Sequence, residues 1–126
     1  MYYDLLAKIQ NAERAAGKNE FTTSFSKADF AIGKILMEAG YLKDVQKKTV
    51  GRRQYLEIGL LKGRGRVING FRIFSKPSRR LYVDYRGIKQ VKSGYGIGVI
   101  STSKGLMSNK DAKKNKVGGE YLFEIW

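Results

Sequence analysis

Three hydroxyls stand in a row at Ser101-Thr102-Ser103, followed by Lys104 and Gly105. Hydroxyls are small donors and acceptors that can approach a base edge or a ribose 2′-hydroxyl closely. Lys104 can reach a phosphate, and Gly105 lets the backbone turn with nothing in the way. RNA loops with displaced bases are read by groups of this kind, because the A-form major groove is too narrow for side chains. The bland alternative is a polar turn closing a strand, and the five residues alone favour it. The segment is not a phosphate loop of the nucleotide-hydrolase kind, which sets two glycines around four residues before the lysine. Gly94-Tyr95-Gly96-Ile97-Gly98 imitates part of a dinucleotide fingerprint but precedes a strand pattern instead of following one, so close strand packing is the better reading.

Cations gather at other points. Lys110, Lys113, Lys114 and Lys116 form a dense patch just before Gly118, Gly119 and Glu120. Taken alone, such a run is a solvated helix face; its closeness to the serine segment favours an RNA role. In Lys76-Pro77-Ser78-Arg79-Arg80-Leu81-Tyr82, Arg79 and Arg80 carry planar forks that suit phosphate, and Tyr82 can stack on a base. A half-buried strand tyrosine explains Tyr82 equally well, and Tyr85 and Tyr95 share the ambiguity. Lys47, Lys48, Arg52 and Arg53 read as a basic, solvated hairpin tip.

The inventory for catalysis is poor. The chain has no cysteine and no histidine, which excludes thiolate and imidazole metal sites, disulfides and every histidine-based nucleophile pair. Asp29, Asp111, Glu57 and Glu120 are dispersed, and no cofactor is implied. Ser103 with Lys104 as base would need adjacent side chains to face each other. A small enzyme acting on RNA is therefore disfavoured.

The charge points the same way. Among 126 residues, Lys and Arg number 25 against 11 Asp and Glu, a net charge of +14. Residues 1–74 hold 14 basic and 7 acidic side chains, and residues 75–126 hold 11 and 4. The excess is thus built into both halves and is no detachable arm. A body this small repels itself at that charge, which makes sense if a polyanion sits against it. Nucleic acid is the leading partner, ahead of an anionic membrane surface. No run approaches the roughly 18 apolar residues of a membrane span, and no leader pattern opens the chain. A soluble, cytoplasmic protein is expected.

The elements that must hold these groups follow from periodicity. Leu5, Leu6, Ile9 and Ala12 predict a helix over 2–15, with Gly17 as its stop. A short strand is expected over 20–25. Ser26 and Asp29 form a capping box before a second helix that ends at Gly40. Strands follow at 41–45 and 55–61, around a polar connection over 46–53. Gly63-Arg64-Gly65-Arg66 is the candidate boundary. Beyond it, 67–74, 81–85, 97–102 and 121–125 read as strands, with Pro77 marking a turn and 86–92 ambiguous. Ser108 and Asp111 cap a short basic helix reaching about Lys116, and Gly118-Gly119 turns into the last strand. The expected fold is α+β in two small lobes that share a packed interface. Residues 1–63 form a helix-strand-helix-strand-strand lobe. Residues 64–126 form a mostly antiparallel β lobe with one short helix.

The serine segment with Leu106-Met107, the Ser-capped helix with Asp111-Ala112, and Gly118-Gly119-Glu120 together resemble the C-terminal signature of the S-eight family of bacterial-type small-subunit ribosomal proteins. Ser75-Lys76-Pro77 with Arg80-Leu81-Tyr82 is similar to another stretch of that family. So are Asp4-Leu5-Leu6-Ala7-Lys8-Ile9-Gln10-Asn11-Ala12, Ser26-Lys27 and Glu38-Ala39-Gly40-Tyr41. The family's Asp-Pro-Ile lead-in is replaced by Met1-Tyr2-Tyr3, and Ser78 stands where glycine usually follows the proline.

The resemblance implies a ribosomal constituent that binds a helix with an irregular internal loop in the central domain of small-subunit ribosomal RNA. Neighbouring small-subunit proteins would be further partners, and the protein's own messenger RNA a second ligand through which it represses its synthesis. Specific contacts are implied for Ser101, Thr102, Ser103, Lys104, Gly105, Tyr82, Gly118, Gly119 and Glu120. Lys8, Asn11 and Lys27 would add backbone contacts. Arg80, Lys76, Lys110 and Lys113 complete the expected RNA-binding set. A general nucleic-acid-coating protein is the alternative.

Overall fold

The computed structural model describes residues 2–15, 19–61, 68–91 and 96–126. It divides into two compact units, Met1–Ile68 and Asn69–Trp126. The Gly17 stop, the candidate boundary at 63–66, Gly94 and Tyr95 lie outside the described residues. Among the described residues no helix is long and apolar enough to cross a membrane.

The first unit opens with α1 (Tyr2–Arg14), whose Leu5, Leu6, Ile9 and Ala12 are buried as their spacing requires. β1 (Glu20–Ser24) follows, then α2 (Lys27–Glu38). Ser26 caps α2 by accepting the Asp29 backbone N–H at 3.0 Å. The helix closes as Tyr41 N–H returns to Leu36 O at 2.9 Å, around Gly40. β2 (Leu42–Val50) and β3 (Arg53–Leu60) complete a three-stranded antiparallel sheet in the order β1-β3-β2. Leu56, Ile58 and Leu60 point into the core with Ile32, Leu36 and Val45. Asp29 is 8% exposed, and its Oδ1 has no hydrogen-bond partner.

One expectation is corrected here. The polar stretch from Gln46 is no loop: β2 runs on to Val50, paired with β3 down to Val50↔Arg53, and only Gly51-Arg52 turns. Charge misled the reading because β2 is an edge strand, so its polar side chains stay in water while its backbone pairs.

The second unit holds β4 (Phe71–Ile73), β5 (Tyr82–Val83), β6 (Ile97–Thr102), β7 (Gly105–Ser108), α3 (Asn109–Lys114) and β8 (Gly119–Ile125). A 3₁₀ turn, Tyr85–Gly87, covers the start of the ambiguous stretch. β8 is central. β6 pairs along one side of it and β7 pairs with β6, while β4 and β5 share its other side. β4 and β5 are shorter than expected, since each pairs only briefly with β8. The fold class is α+β, with antiparallel sheets throughout and one short helix in the C-terminal unit.

β7 is an element that the sequence reading missed. α3 and β6 pack together: Ile88, Ile100, Ala112 and Tyr121 form a buried cluster, flanked by Phe74, Val83, Tyr85, Met107 and Val117. Ser108 caps α3 through the Asp111 N–H at 3.3 Å, and Asn109 accepts the Gly98 N–H at 3.2 Å, tying helix to strand.

Candidate nucleic-acid interface

The hydroxyl segment is a hairpin. Thr102 pairs with Gly105, so Ser103-Lys104 is a two-residue turn between β6 and β7. The Thr102 hydroxyl locks it, donating to Gly105 O at 2.7 Å and accepting the Lys104 N–H at 3.1 Å. Gly105 sits at φ +111°, a backbone that other residues rarely adopt. Ser103 and Lys104 are therefore presented at an exposed tip of fixed shape.

Register then assembles the rest. Ser101 pairs with Leu106 on one side and Glu120 on the other, and Glu120 pairs with Tyr82. Directly paired residues share a face, so Tyr82, Glu120, Ser101 and Leu106 make one row across four strands, roughly 14 Å long at the usual strand spacing. Tyr82 is 65% exposed, which removes the half-buried reading. Glu120 is fixed from below: the Ser75 hydroxyl donates to its Oε2 and accepts the Leu81 N–H at 3.2 Å. Three regions far apart in sequence thus meet on one face. That face offers hydroxyls, an aromatic ring, an ammonium and one acceptor-only carboxylate.

The remaining expected residues fall outside the row. Lys110 and Lys113 lie on α3, and Lys113 Nζ donates to Ile88 O at 3.0 Å, leaving its other two donors for a ligand. Lys76 and Arg79 close a tight turn through two mutual backbone bonds of 2.9 Å, with Lys76, Arg79 and Arg80 all exposed. In the first unit, Lys8 and Asn11 line a cleft of about 390 Å³ with Ala12, Ala15, Phe21 and Thr22, and Lys8 Nζ donates to Thr23 Oγ1 at 3.0 Å. Lys27 is exposed at the first turn of α2 and does not line that cleft.

The family model described as ribosomal protein S8 matches residues 2–126. The chain belongs to the ribosomal protein S8 family. It is similar to small ribosomal subunit protein uS8 of Kosmotoga olearia, 41% identical, the match covering 98% of this chain and 95% of that relative. The Sorangium cellulosum protein of the same name is also 41% identical with the same coverage. That of Caldicellulosiruptor bescii is 40% identical, over 98% of this chain and 94% of its own length. The family is one of ribosomal structural proteins, and this member is not an enzyme. Among the described residues no three acidic side chains gather as a metal site would need.

Two residues of this S8-family chain have a structural reason to be what they are, whatever they touch. A Cβ on Gly119 would stand 2.0 Å from Ser101 O, and one on Gly118 would stand 2.3 Å from Val83 O. The glycine pair lets β8 start between β5 and β6 at close range. Ser75 was missed by the sequence reading. Its signal was faint: one small polar residue just past the expected strand, at the head of the polar turn over 75–80.

Proposed function

We propose that this chain is a constituent of the small ribosomal subunit, working on the ribosome in the cytoplasm, and that it binds the subunit's RNA directly through the β6–β7 hairpin. The row Tyr82–Glu120–Ser101 with the rigid Ser103-Lys104 tip carries the reading. Lys104, Lys110 and the arginines of the Lys76–Arg80 turn supply sequence-independent attraction to phosphates. The hydroxyls supply discrimination, because they reach base edges and 2′-hydroxyls that only a distorted helix exposes. Glu120, as an acceptor in a cationic field, admits RNA amino and hydroxyl donors and repels a phosphate placed out of register. Gly118 and Gly119 keep side chains out of the way at the same spot. Lys8, Asn11 and Lys27 add backbone contacts from the first unit.

The ligand is a helix with an irregular internal loop in the central domain of small-subunit RNA. A similar hairpin in the protein's own messenger RNA is a second ligand, through which it represses its synthesis. The test is a salt titration against that ribosomal helix and against a regular duplex of scrambled sequence. Both affinities should fall by orders of magnitude between about 50 and 200 mM salt, the irregular helix staying ahead throughout. Equal affinity for the two at every salt concentration ends the claim of recognition. Competition with DNA of the same sequence separates this reading from general coating, since 2′-hydroxyl contacts favour RNA.

A further inference from the structure

The sequence reading gave Arg72 no role, yet it rests on an aromatic ring of the C-terminal unit. Arg72 pairs with Glu124, which pairs with Gly98. Ser101 lies three residues further along the same strand, so it faces the other way. Arg72 therefore projects from the sheet face opposite the hydroxyl row. Its guanidinium carbon lies 4.9 Å from the centre of the Phe74 ring. That ring stands edge-on to Tyr121, 5.1 Å between centres and 86° between planes, and packs on the buried cluster. A guanidinium resting on a ring that is itself held by the core loses part of its freedom before any ligand arrives.

Beside it lies a cleft of about 310 Å³, lined by Arg72, Ile73, Phe74, Lys76, Arg79 and Leu81. The lining carries three cations and no carboxylate. Lys76 and Arg79 are brought together by the closed turn around Pro77-Ser78, whose two backbone bonds hold its ends at 2.9 Å. Glu124 stands across from Arg72 but accepts the Tyr121 hydroxyl at 2.7 Å and does not line the cleft, so the three lining cations repel one another and an anion there relieves that repulsion. The apolar floor of Ile73, Phe74 and Leu81 lowers the local dielectric and strengthens each charge–charge contact.

We propose that this cleft is a second RNA subsite, holding backbone phosphates on the sheet face away from Ser101, with Arg72 as the bidentate fork and Lys76 and Arg79 as flanking charges. The inference rests on the RNA-binding reading above and extends it. RNA would be held from both faces of the β4/β5 edge, one face reading shape and the other only charge. Arg80, which does not line the cleft, takes no part in it.

The double variant Arg72→Gln, Arg79→Gln tests this in the full chain. Its affinity for irregular and regular RNA helices should fall by the same factor. The slope of log affinity against log salt should shrink by about 2, since each phosphate neutralised contributes roughly 0.9. Arg79→Gln alone, at an exposed turn, should give about half that change while the thermal midpoint without ligand stays put. Inorganic pyrophosphate serves as a probe independent of RNA. It should raise the thermal midpoint of the parent protein and not that of the double variant. An unchanged salt slope overturns the subsite. If the parent protein binds no RNA at all, the RNA reading fails first. The pyrophosphate arm then decides the cleft alone: selective stabilisation keeps it as an anion site, and equal stabilisation of both proteins removes it.

Discussion

Ser101 and Glu120 face each other across the β6–β8 ladder, and the Glu120 carboxylate is gripped from the far side by the Ser75 hydroxyl. Ser75 is 2% exposed and also accepts the Leu81 N–H. It thus ties together the two flanks of the hydroxyl row. Ser75→Ala should leave that N–H unpaired and set the carboxylate loose, costing about 1–3 kcal/mol of stability. Urea unfolding measures this. A variant as stable as the parent would mean that Glu120 needs no such anchor.

Ser103 should behave in the opposite way. It sits exposed at the hairpin tip, and the turn is held by Thr102 instead. Ser103→Ala should leave the unfolding midpoint nearly unchanged while weakening the cognate RNA complex by about 1–2 kcal/mol, through polar RNA groups left unpaired. Thr102→Val removes the two bonds that lock the turn, so it should lower stability and binding together. Melting curves beside binding isotherms separate the two. Equal binding by the Ser103 variant and the parent counts against the tip as the reader.

Gly119→Ala is expected to be severe for a reason unrelated to RNA. The added methyl would stand 2.0 Å from Ser101 O and 3.1 Å from Thr102 Cα, both in a paired strand that cannot give way cheaply. Overpacking of this kind costs about 1–3 kcal/mol. Amide exchange should report it as faster opening along β6 and β8. Protection equal to the parent's would show that the strands accommodate the methyl.

Much of this arrangement was legible in the residues, and the illegible parts share a cause. Helical spacing and the Ser26 and Ser108 caps are local signals, and α1, α2 and α3 lie where those signals put them. The β6 span from Ile97 to Thr102 was likewise plain from its apolar run. The far half of β2 and all of β7 were not: each is one arm of a tight hairpin whose backbone pairs with the adjacent strand, while its own residues show no alternation that marks a strand. The row joining Tyr82, Glu120 and Ser101 depends on register, which hydrophobic pattern alone does not fix between short strands. Arg72 was invisible for the same reason: only the pleat shows which face it takes and which ring it rests on.

Asp29 offers a test on the other unit. It stands in the first turn of α2, where the positive end of the helix dipole favours a negative charge, yet it is only 8% exposed, with Oδ1 unpartnered. Burial raises its carboxyl above the ordinary 3.8, with Asp4 adding to the rise and the Ser26 hydroxyl and Lys8 opposing it. A carboxyl whose folded-state value is raised binds its proton more readily in the native protein than in the unfolded chain. Its contribution to stability is therefore full below pH 3.8 and is lost as pH climbs through the raised value. Near neutral pH the buried charge is a burden. Asp29→Asn keeps the backbone N–H that Ser26 caps and removes that burden. The variant should be more stable than the parent at pH 7 and should show a flatter stability profile as pH rises from 3.8 through the raised value. Denaturant unfolding of both proteins across that range decides it. A variant less stable at pH 7, with the parent's pH slope intact, would show that the charge is more useful at the helix start than costly in the core.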